Sequence, residues 1–282
     1  MTILDGKQTA LKISEKIQKD IQEYKELDKR EPRLDIILVG NDYASKMYVD
    51  MKYKKAQELG IEVNVHTYDE NVQEDELIQL INDLNKESTV DGIMVQLPLP
   101  KHINESNVLE KISPLKDVDG LTSTNLGKLF KNDPTAIAPA TAKGILKLLK
   151  EYGIEIEGKS AVVIGRSDIV GLPTVALLQN ENATVTVCHS HTTNLKEICK
   201  KADILVSSMG KAEYIDIEYV KEGSVVIDVG TNKKEEGKLV GDVNFENVKD
   251  LVSYITPVPG GVGPMTIACL FSNLIEVYRK NV

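Results

Sequence analysis

Apolar residues recur every three to four positions at Ala10, Ile13, Ile17, Ile21 and Tyr24, which predicts an amphipathic helix as the first long element. Downstream, short apolar runs alternate with helical spacings. LDIILVG (34–40) predicts a strand, and YASKMYVDMKYKKAQELG (43–60) a helix ending at Gly60. IEVNVHTY (61–68) predicts a second strand, EDELIQLINDLN (74–85) a second helix, and DGIMVQLPLP (91–100) a third strand stopped by its prolines. This β-α-β-α-β order implies a parallel sheet covered by helices. The stretch 111–141 is rich in Pro, Gly, Asp, Asn and Thr, and a domain boundary is expected at its end. TAKGILKLLKEYG (141–153) predicts a linking helix. The alternation then returns as SAVVIG, a helix, ATVTVCHS, a helix, ADILVSSMG, SVVIDVG and LVSYITPVPGG. These strands are short and β-branched, as buried parallel strands are. TIACLFSNLIEVY (266–278) predicts a last helix, expected to pack back on the first domain. The expected fold class is α/β, with two domains built on parallel sheets: 1–140, joined by a C-terminal helix at 265–282, and 141–264.

Composition narrows the function classes. A chain of 282 residues with 41% hydrophobic and 27% charged positions suits a globular protein with real cores. A formal charge of −9 argues against nucleic acid or an anionic membrane as main partner. His66, His102, His189 and His191 are scattered, as are Cys188, Cys199 and Cys269, with no CxxC and no HExxH. No metal site and no disulfide framework is expected. The first residues lack the apolar core of a signal peptide, and no apolar run is long enough to span a bilayer. A cytoplasmic protein is expected.

GRSDIVG (165–171) follows a buried-strand pattern and opens a helix pattern, the context in which α/β domains hold dinucleotide phosphates. The G-x-G-x-x-G fingerprint is altered: Ser167 stands at the second glycine, and the last glycine comes one residue late, at Gly171. An ordinary strand–helix turn is the alternative. NAD sites usually place an acid at the end of the following strand for the ribose hydroxyls. Here ATVTVCHS ends in Cys188, His189 and Ser190, with no carboxylate. Arg166 in the turn, with a hydroxyl nearby and no acid, suits a 2′-phosphate, so NADP is predicted over NAD. A solvated surface arginine is the competing reading.

Other candidate chemistry lies in the first half. Tyr48 and Lys52 are four apart and so share a helix face. Gln96 closes the third strand, at the end that faces a binding crevice. A lysine whose charge is disfavoured can serve as a base. The competing reading is a solvated Lys-rich face with Lys46, Lys54 and Lys55. The order of segments argues against a short-chain dehydrogenase, in which a Tyr-x-x-x-Lys element follows the nucleotide turn. KDVDG (116–120) places Asp117 and Asp119 beside a glycine. Either could serve a local turn, or accept paired N–H bonds from a planar heterocycle. TPVPGGVGPMT (256–266) combines stiff prolines with bare glycines, so a flat ligand could lie against its backbone.

ASKMYVDMKYKKA, GIMVQLPLP, KDVDG, GRSDIVGLP, NATVTVCHSHT and TPVPGGVGPMT, in that order, resemble the bifunctional methylenetetrahydrofolate dehydrogenase/cyclohydrolase family. The resemblance implies two α/β domains flanking a cleft, 1–140 binding folate and 141–264 a Rossmann-type NADP domain. It implies a homodimer acting on tetrahydrofolate one-carbon derivatives, in one-carbon metabolism and purine biosynthesis. The implied activities are NADP-dependent oxidation of 5,10-methylenetetrahydrofolate and hydrolysis of the methenyl product to 10-formyltetrahydrofolate. Lys52 is then the central catalytic residue, with Tyr48 and Gln96 as neighbours and Asp119 on the pterin ring. Leu97 and Pro98, with Pro259, Gly260, Gly261 and Pro264, would border the folate. Gly165, Arg166, Ser167, Ile169 and Ser190 would contact NADP, together with Thr141, Gly230 and Thr231. One departure is PATAKG (139–144), where the family commonly reads P-C-T-P-x-G: Ala140 and Ala142 replace Cys and Pro. Two rival readings are another two-domain NAD(P)-dependent dehydrogenase, such as a shikimate-type enzyme, and a non-catalytic folate- or nucleotide-binding protein.

Overall fold

The computed structural model describes residues 1–234 and 237–282. In chain order its elements are β1 (Thr2–Ile3), α1 (Gly6–Glu26), β2 (Arg33–Val39), α2 (Tyr43–Leu59), β3 (Glu62–Tyr68), α3 (Glu74–Lys86) and β4 (Gly92–Val95). Then come α4 (Glu105–Leu109), α5 (Ser123–Phe130), α6 (Ala140–Glu151), β5 (Ser160–Ile164), α7 (Gly171–Asn180), β6 (Thr184–Cys188), α8 (Leu195–Cys199) and β7 (Ile204–Ser207). The chain closes with β8 (Val225–Asp228), β9 (Asn232–Lys233), β10 (Leu239–Val240), α9 (Phe245–Val248), β11 (Tyr254–Ile255) and α10 (Val262–Asn281).

The chain divides into two compact units. One comprises Met1–Leu11, Leu129–Pro134 and Pro139–Cys269; the other comprises Lys12–Lys128, Thr135–Ala138 and Leu270–Val282. In the second, the order is β3-β2-β4 and all pairs are parallel. Its core collects Ile37, Val39, Leu77, Ile81, Ile93 and Val95. In the first, the order is β1-β11-β8-β7-β5-β6, again parallel throughout. Its core is β-branched, built around Val162, Ile164, Leu205, Val226 and Ile255. The chain thus has the expected α/β class with parallel sheets. In both sheets the direction of winding reverses, between β2 and β4 and between β5 and β7. Ligands of open parallel sheets bind at the carboxyl ends of the strands on either side of such a reversal.

The elements depart from the sequence pattern in instructive places. The strand expected over 91–100 pairs only from Gly92 to Val95, and the Leu97–Pro98 peptide beyond it is cis. Prolines lack the N–H that a ladder requires, so pairing stops before them. Helix α2 ends as predicted, with Gly60 at φ 77° donating its N–H to Ala56 and Gln57. The polar stretch 111–141 is not a plain break but contains α5. The last helix runs past both ends of its predicted range, from Val262 to Asn281.

Candidate active site

Helix α2 buries Ser45, Val49, Lys52, Ala56 and Leu59, a stripe at spacings of four and three. Lys52 therefore occupies a core-facing position and keeps 7% of its surface, whereas Lys46 and Lys54 are exposed. That placement separates it from the solvated lysine face. Its Nζ donates to Gln96 Oε1 at 2.8 Å. Gln96 follows β4 directly, and its backbone N–H still bonds Ile37 O at 2.9 Å. The Gln96 Nε2 donates to Leu97 O at 2.8 Å, which turns the amide oxygen toward the lysine. Burial pushes the Lys52 ammonium down to about 8, against the opposing pull of Asp119. A lysine so placed is about one-tenth neutral at pH 7, far more than a solvated lysine.

Asp117 and Asp119 have opposite fates. Asp117 is buried and accepts from the backbone N–H groups of Gly120, Leu121 and Thr122 at 2.9, 3.1 and 2.8 Å, and from Asn125 Nδ2 at 2.9 Å. It is the knot of its turn. Asp119 makes no hydrogen bond among the described residues. It retains some surface, yet the surrounding protein pushes its carboxyl up; Lys52 opposes that shift and Asp117 adds to it. A buried lysine, an amide oxygen and an uncommitted carboxyl are thus within electrostatic reach of one another. Tyr48 lies one turn from Lys52 and is half-exposed, while Leu97 packs against the core and Pro98 is exposed.

The other unit holds the remaining candidates. Gly165 follows β5 directly at φ 126°, and its N–H bonds Cys188 O at 2.9 Å. A Cβ there would lie 2.3 Å from Ser208 Oγ; one at Gly171 would lie 2.4 Å from Gly165 O. Both glycines are needed for the close approach of strand, turn and helix. Ser167 Oγ accepts from the N–H groups of Val170 and Gly171 at 3.3 and 3.4 Å, so it holds the turn that leads into α7 while its own proton stays free to donate. Arg166, Ile169 and Ser190 are exposed, and Arg166 has no ion pair among the described residues. No carboxylate follows β6, whose end is Cys188, His189 and Ser190. A strand–turn–helix with bare backbone, a free arginine and no acid fits a dinucleotide carrying a 2′-phosphate. Gly230 is buried behind Thr231, which is exposed, and Thr141 Oγ1 lies 3.1 Å from Thr266 Oγ1. Ala140 and Ala142 are both buried at the start of α6. Gly260, at φ 110°, accepts from Lys7 N–H, and Gly6 packs so tightly on Gly261 that a Cβ there would meet its carbonyl oxygen. Pro259 is exposed and Pro264 half-buried.

Residues 4–119 match the tetrahydrofolate dehydrogenase/cyclohydrolase catalytic domain, and residues 139–282 match the NAD(P)-binding domain of the same family. The bifunctional protein FolD of Ligilactobacillus salivarius is 54% identical over 284 residues, covering 100% of this chain and 98% of its own. The chain belongs to the tetrahydrofolate dehydrogenase/cyclohydrolase family. Two solved structures of this family bear on the site. The bifunctional FolD enzyme of Campylobacter jejuni is 46% identical with a TM-score of 0.98, and each chain is covered completely. The FolD of Trypanosoma brucei, solved with NADP cofactor and an inhibitor, is 38% identical with a TM-score of 0.94, covering 99% of this chain and 97% of that one. The family's catalytic-domain match contains Tyr48, Lys52, Gln96 and Asp119, and its NAD(P)-binding match contains the turn at Gly165.

Sequence reasoning missed a second set of carboxylates. Asp228 ends β8 and Asp242 follows β10; both are buried and held by backbone donors. The available signal was an Asp within two residues of a glycine, in IDVG and GDV, where a carboxylate can organise a turn.

Proposed function

We propose that the protein oxidises 5,10-methylenetetrahydrofolate to 5,10-methenyltetrahydrofolate with NADP, then hydrolyses that product to 10-formyltetrahydrofolate. The observation that carries this reading is the buried Lys52, bonded to Gln96 at 2.8 Å and held near 8, in a chain that matches both domains of the family. NADP, when bound, supplies the hydride acceptor. The chain's task in that step is orientation, because hydride transfer needs little acid–base help. Asp119, with an uncommitted carboxyl, is suited to accept N–H bonds from the pterin ring. The Gly260–Gly261 backbone offers a bare surface to a flat ring. Residues 1–140 would carry the folate chemistry and 141–264 the nucleotide.

The hydrolysis is where Lys52 acts. The methenyl intermediate is a delocalised cation across N5 and N10, electrophilic at its bridging carbon. Its charge would depress Lys52 further toward the neutral form. A water oxygen bonds to the bridging carbon and its proton passes to neutral Lys52. The adduct's hydroxyl then loses its remaining proton as the formyl C=O forms. The bond from that carbon to N5 breaks with its electron pair going to N5, and N5 takes up a proton. The one proton held by Lys52 is thus the net proton released to solvent. Gln96 holds the lysine nitrogen in place, and Tyr48 lines the same helix face. Lys52→Met is expected to abolish hydrolysis while oxidation survives better, followed by NADPH formation and by decay of the methenyl absorbance. Both activities persisting undiminished would remove Lys52 from the role.

Arg166, Ser167, Ile169 and Ser190 would contact NADP, with Thr141, Gly230 and Thr231 beside them. None of the described helices is long and apolar enough to cross a membrane. Cys188, Cys199 and Cys269 are buried thiols and not disulfides, which accords with a cytoplasmic setting. A homodimer is proposed on family grounds, and light scattering of the purified chain measures it.

A further inference from the structure

Two buried carboxylates tie together the segments that follow β7, β8 and β10. Asp242 Oδ2 accepts from Met209 N–H at 2.7 Å, Gly210 N–H at 3.3 Å and Ser207 Oγ at 3.2 Å. Its Oδ1 accepts from Lys211 N–H at 2.8 Å and Asn232 Nδ2 at 3.0 Å. One side chain thus holds both the turn after β7 and the turn after β8. Asp228 Oδ1 accepts from Gly230 and Asp242 N–H, both at 2.9 Å, and its Oδ2 from Val243 N–H at 2.8 Å. Asp228 N–H in turn donates to Thr256 Oγ1 at 2.7 Å, at the end of β11.

This arrangement bears on the nucleotide turn at Gly165. Ser208, which donates from backbone and side chain to Ile164 O at 2.8 and 3.0 Å, is the residue against which Gly165 packs. Asp242 fixes its neighbours on both sides, Ser207 and Met209. Gly230 sits against Asp242 itself: a Cβ at that glycine would lie 2.3 Å from Oδ1. Gly241 is bare for the same reason, since a Cβ there would fall 1.8 Å from Asp228 Oδ2. The two acids are too deeply enclosed to touch a nucleotide, with 0% and 3% of their surfaces exposed for Asp242 and Asp228. Their effect passes through the backbone they hold.

We propose that Asp242 is a positioning residue for the dinucleotide: with Asp228 it sets the Ser207–Lys211 and Gly230–Asn232 turns against the Gly165 turn, and so governs nucleotide affinity. The proposal rests on the reading of Gly165–Ser167 and Gly230–Thr231 as the NADP site. A carboxylate is required because every partner of Asp242 is a donor; an amide would turn one N–H toward another N–H.

The test compares Asp242→Asn, Asn232→Ala and Arg166→Ala by direct titration with NADP, alongside the KM for the methenyl substrate in hydrolysis. Asp242→Asn is expected to raise the NADP Kd at least tenfold and Asn232→Ala about threefold, each moving the methenyl KM less than twofold. Should Asp242→Asn fail to fold, Asn232→Ala decides alone, since it removes one donor from a partly exposed residue. An NADP Kd within twofold of the parent for Asn232→Ala and any folded Asp242→Asn, while Arg166→Ala raises it, overturns the positioning role and leaves the site reading intact. Kd and methenyl KM rising together would mark a general structural role and also overturn it. If Arg166→Ala leaves the Kd unmoved as well, the site reading fails first and the proposal with it.

Discussion

Arg166 stands in a turn whose neighbours leave it little structural work. It is exposed and pairs with no carboxylate among the described residues, and the next strand ends without an acid. If it meets a 2′-phosphate, removing it should cost a charge-assisted bond of about 1.5–3 kcal/mol, or roughly ten- to hundredfold in binding. Arg166→Ala is therefore expected to raise the KM for NADP by at least tenfold and that for NAD by less than threefold. Equal effects on the two cofactors would remove the phosphate assignment. At this scale the sequence was legible wherever a residue's type and its spacing pointed the same way. Lys52 sits on a stripe of small and apolar residues, which marks it as unlike Lys46 and Lys54. Asp117 and Asp119 could not be told apart, because both lie within three residues of the same glycine and only the folded turn shows whose oxygens the N–H groups reach. Asp228 and Asp242 were hidden for the same reason: most of their partners, Ser207 to Lys211 for Asp242 and Asp242 and Val243 for Asp228, lie far along the chain.

Helix α7 shows how an element can be predictable while its function depends on a single contact. Its run from Gly171 to Asn180 is nearly all buried, which the apolar string GLPTVALL announces. The deciding feature is its first residue. A Cβ at Gly171 would lie 2.4 Å from Gly165 O and 2.6 Å from Gly165 C, both backbone atoms that cannot swing aside. Alanine is the better helix former by about 1 kcal/mol, but overpacking against fixed backbone costs roughly 1–3 kcal/mol. The clash wins, and it falls on the nucleotide turn. Gly171→Ala is expected to lower the melting temperature by several degrees and raise the NADP Kd at least tenfold, measured by differential scanning calorimetry and by titration. A variant with unchanged nucleotide affinity would show that the turn need not lie this close to the helix. Elements without such periodicity were the ones the sequence hid. β1 has two residues, too few for an alternation to register, and it forms only because β11 lies beside it as a parallel neighbour. α5 lies in a stretch whose Pro, Asp and Asn content reads as loop, and Thr122 and Asn125 make its first turn through side-chain bonds that composition does not reveal.

Over the whole molecule, the buried lysine should leave a signature in stability as well as in rate. Lys52 titrates near 8 in the folded chain and near 10.5 when unfolded. Between those values the unfolded chain binds more protons, so the parent protein gains stability as pH rises through that window. Below about 8 the full cost of holding the charge in the interior is present, on the order of 3 kcal/mol. Replacing the lysine removes that cost. That cost is already net of the attraction to Asp119, so what the replacement loses besides is the bond to Gln96. That loss offsets part of the gain, and Met fills similar volume in a stripe with Val49 and Ala56. Lys52→Met is thus expected to stabilise the protein at pH 7 by about 1–2 kcal/mol, with the advantage vanishing and then reversing as pH rises from 8 through 10.5. The two compact units need not melt together, so the measurement is a denaturant titration at several pH values, read on the transition that shifts with pH. A variant less stable than its parent at pH 7, or a gain that ignores pH, would mean that the lysine is not held at a cost. The chain would then have to activate water through some other group.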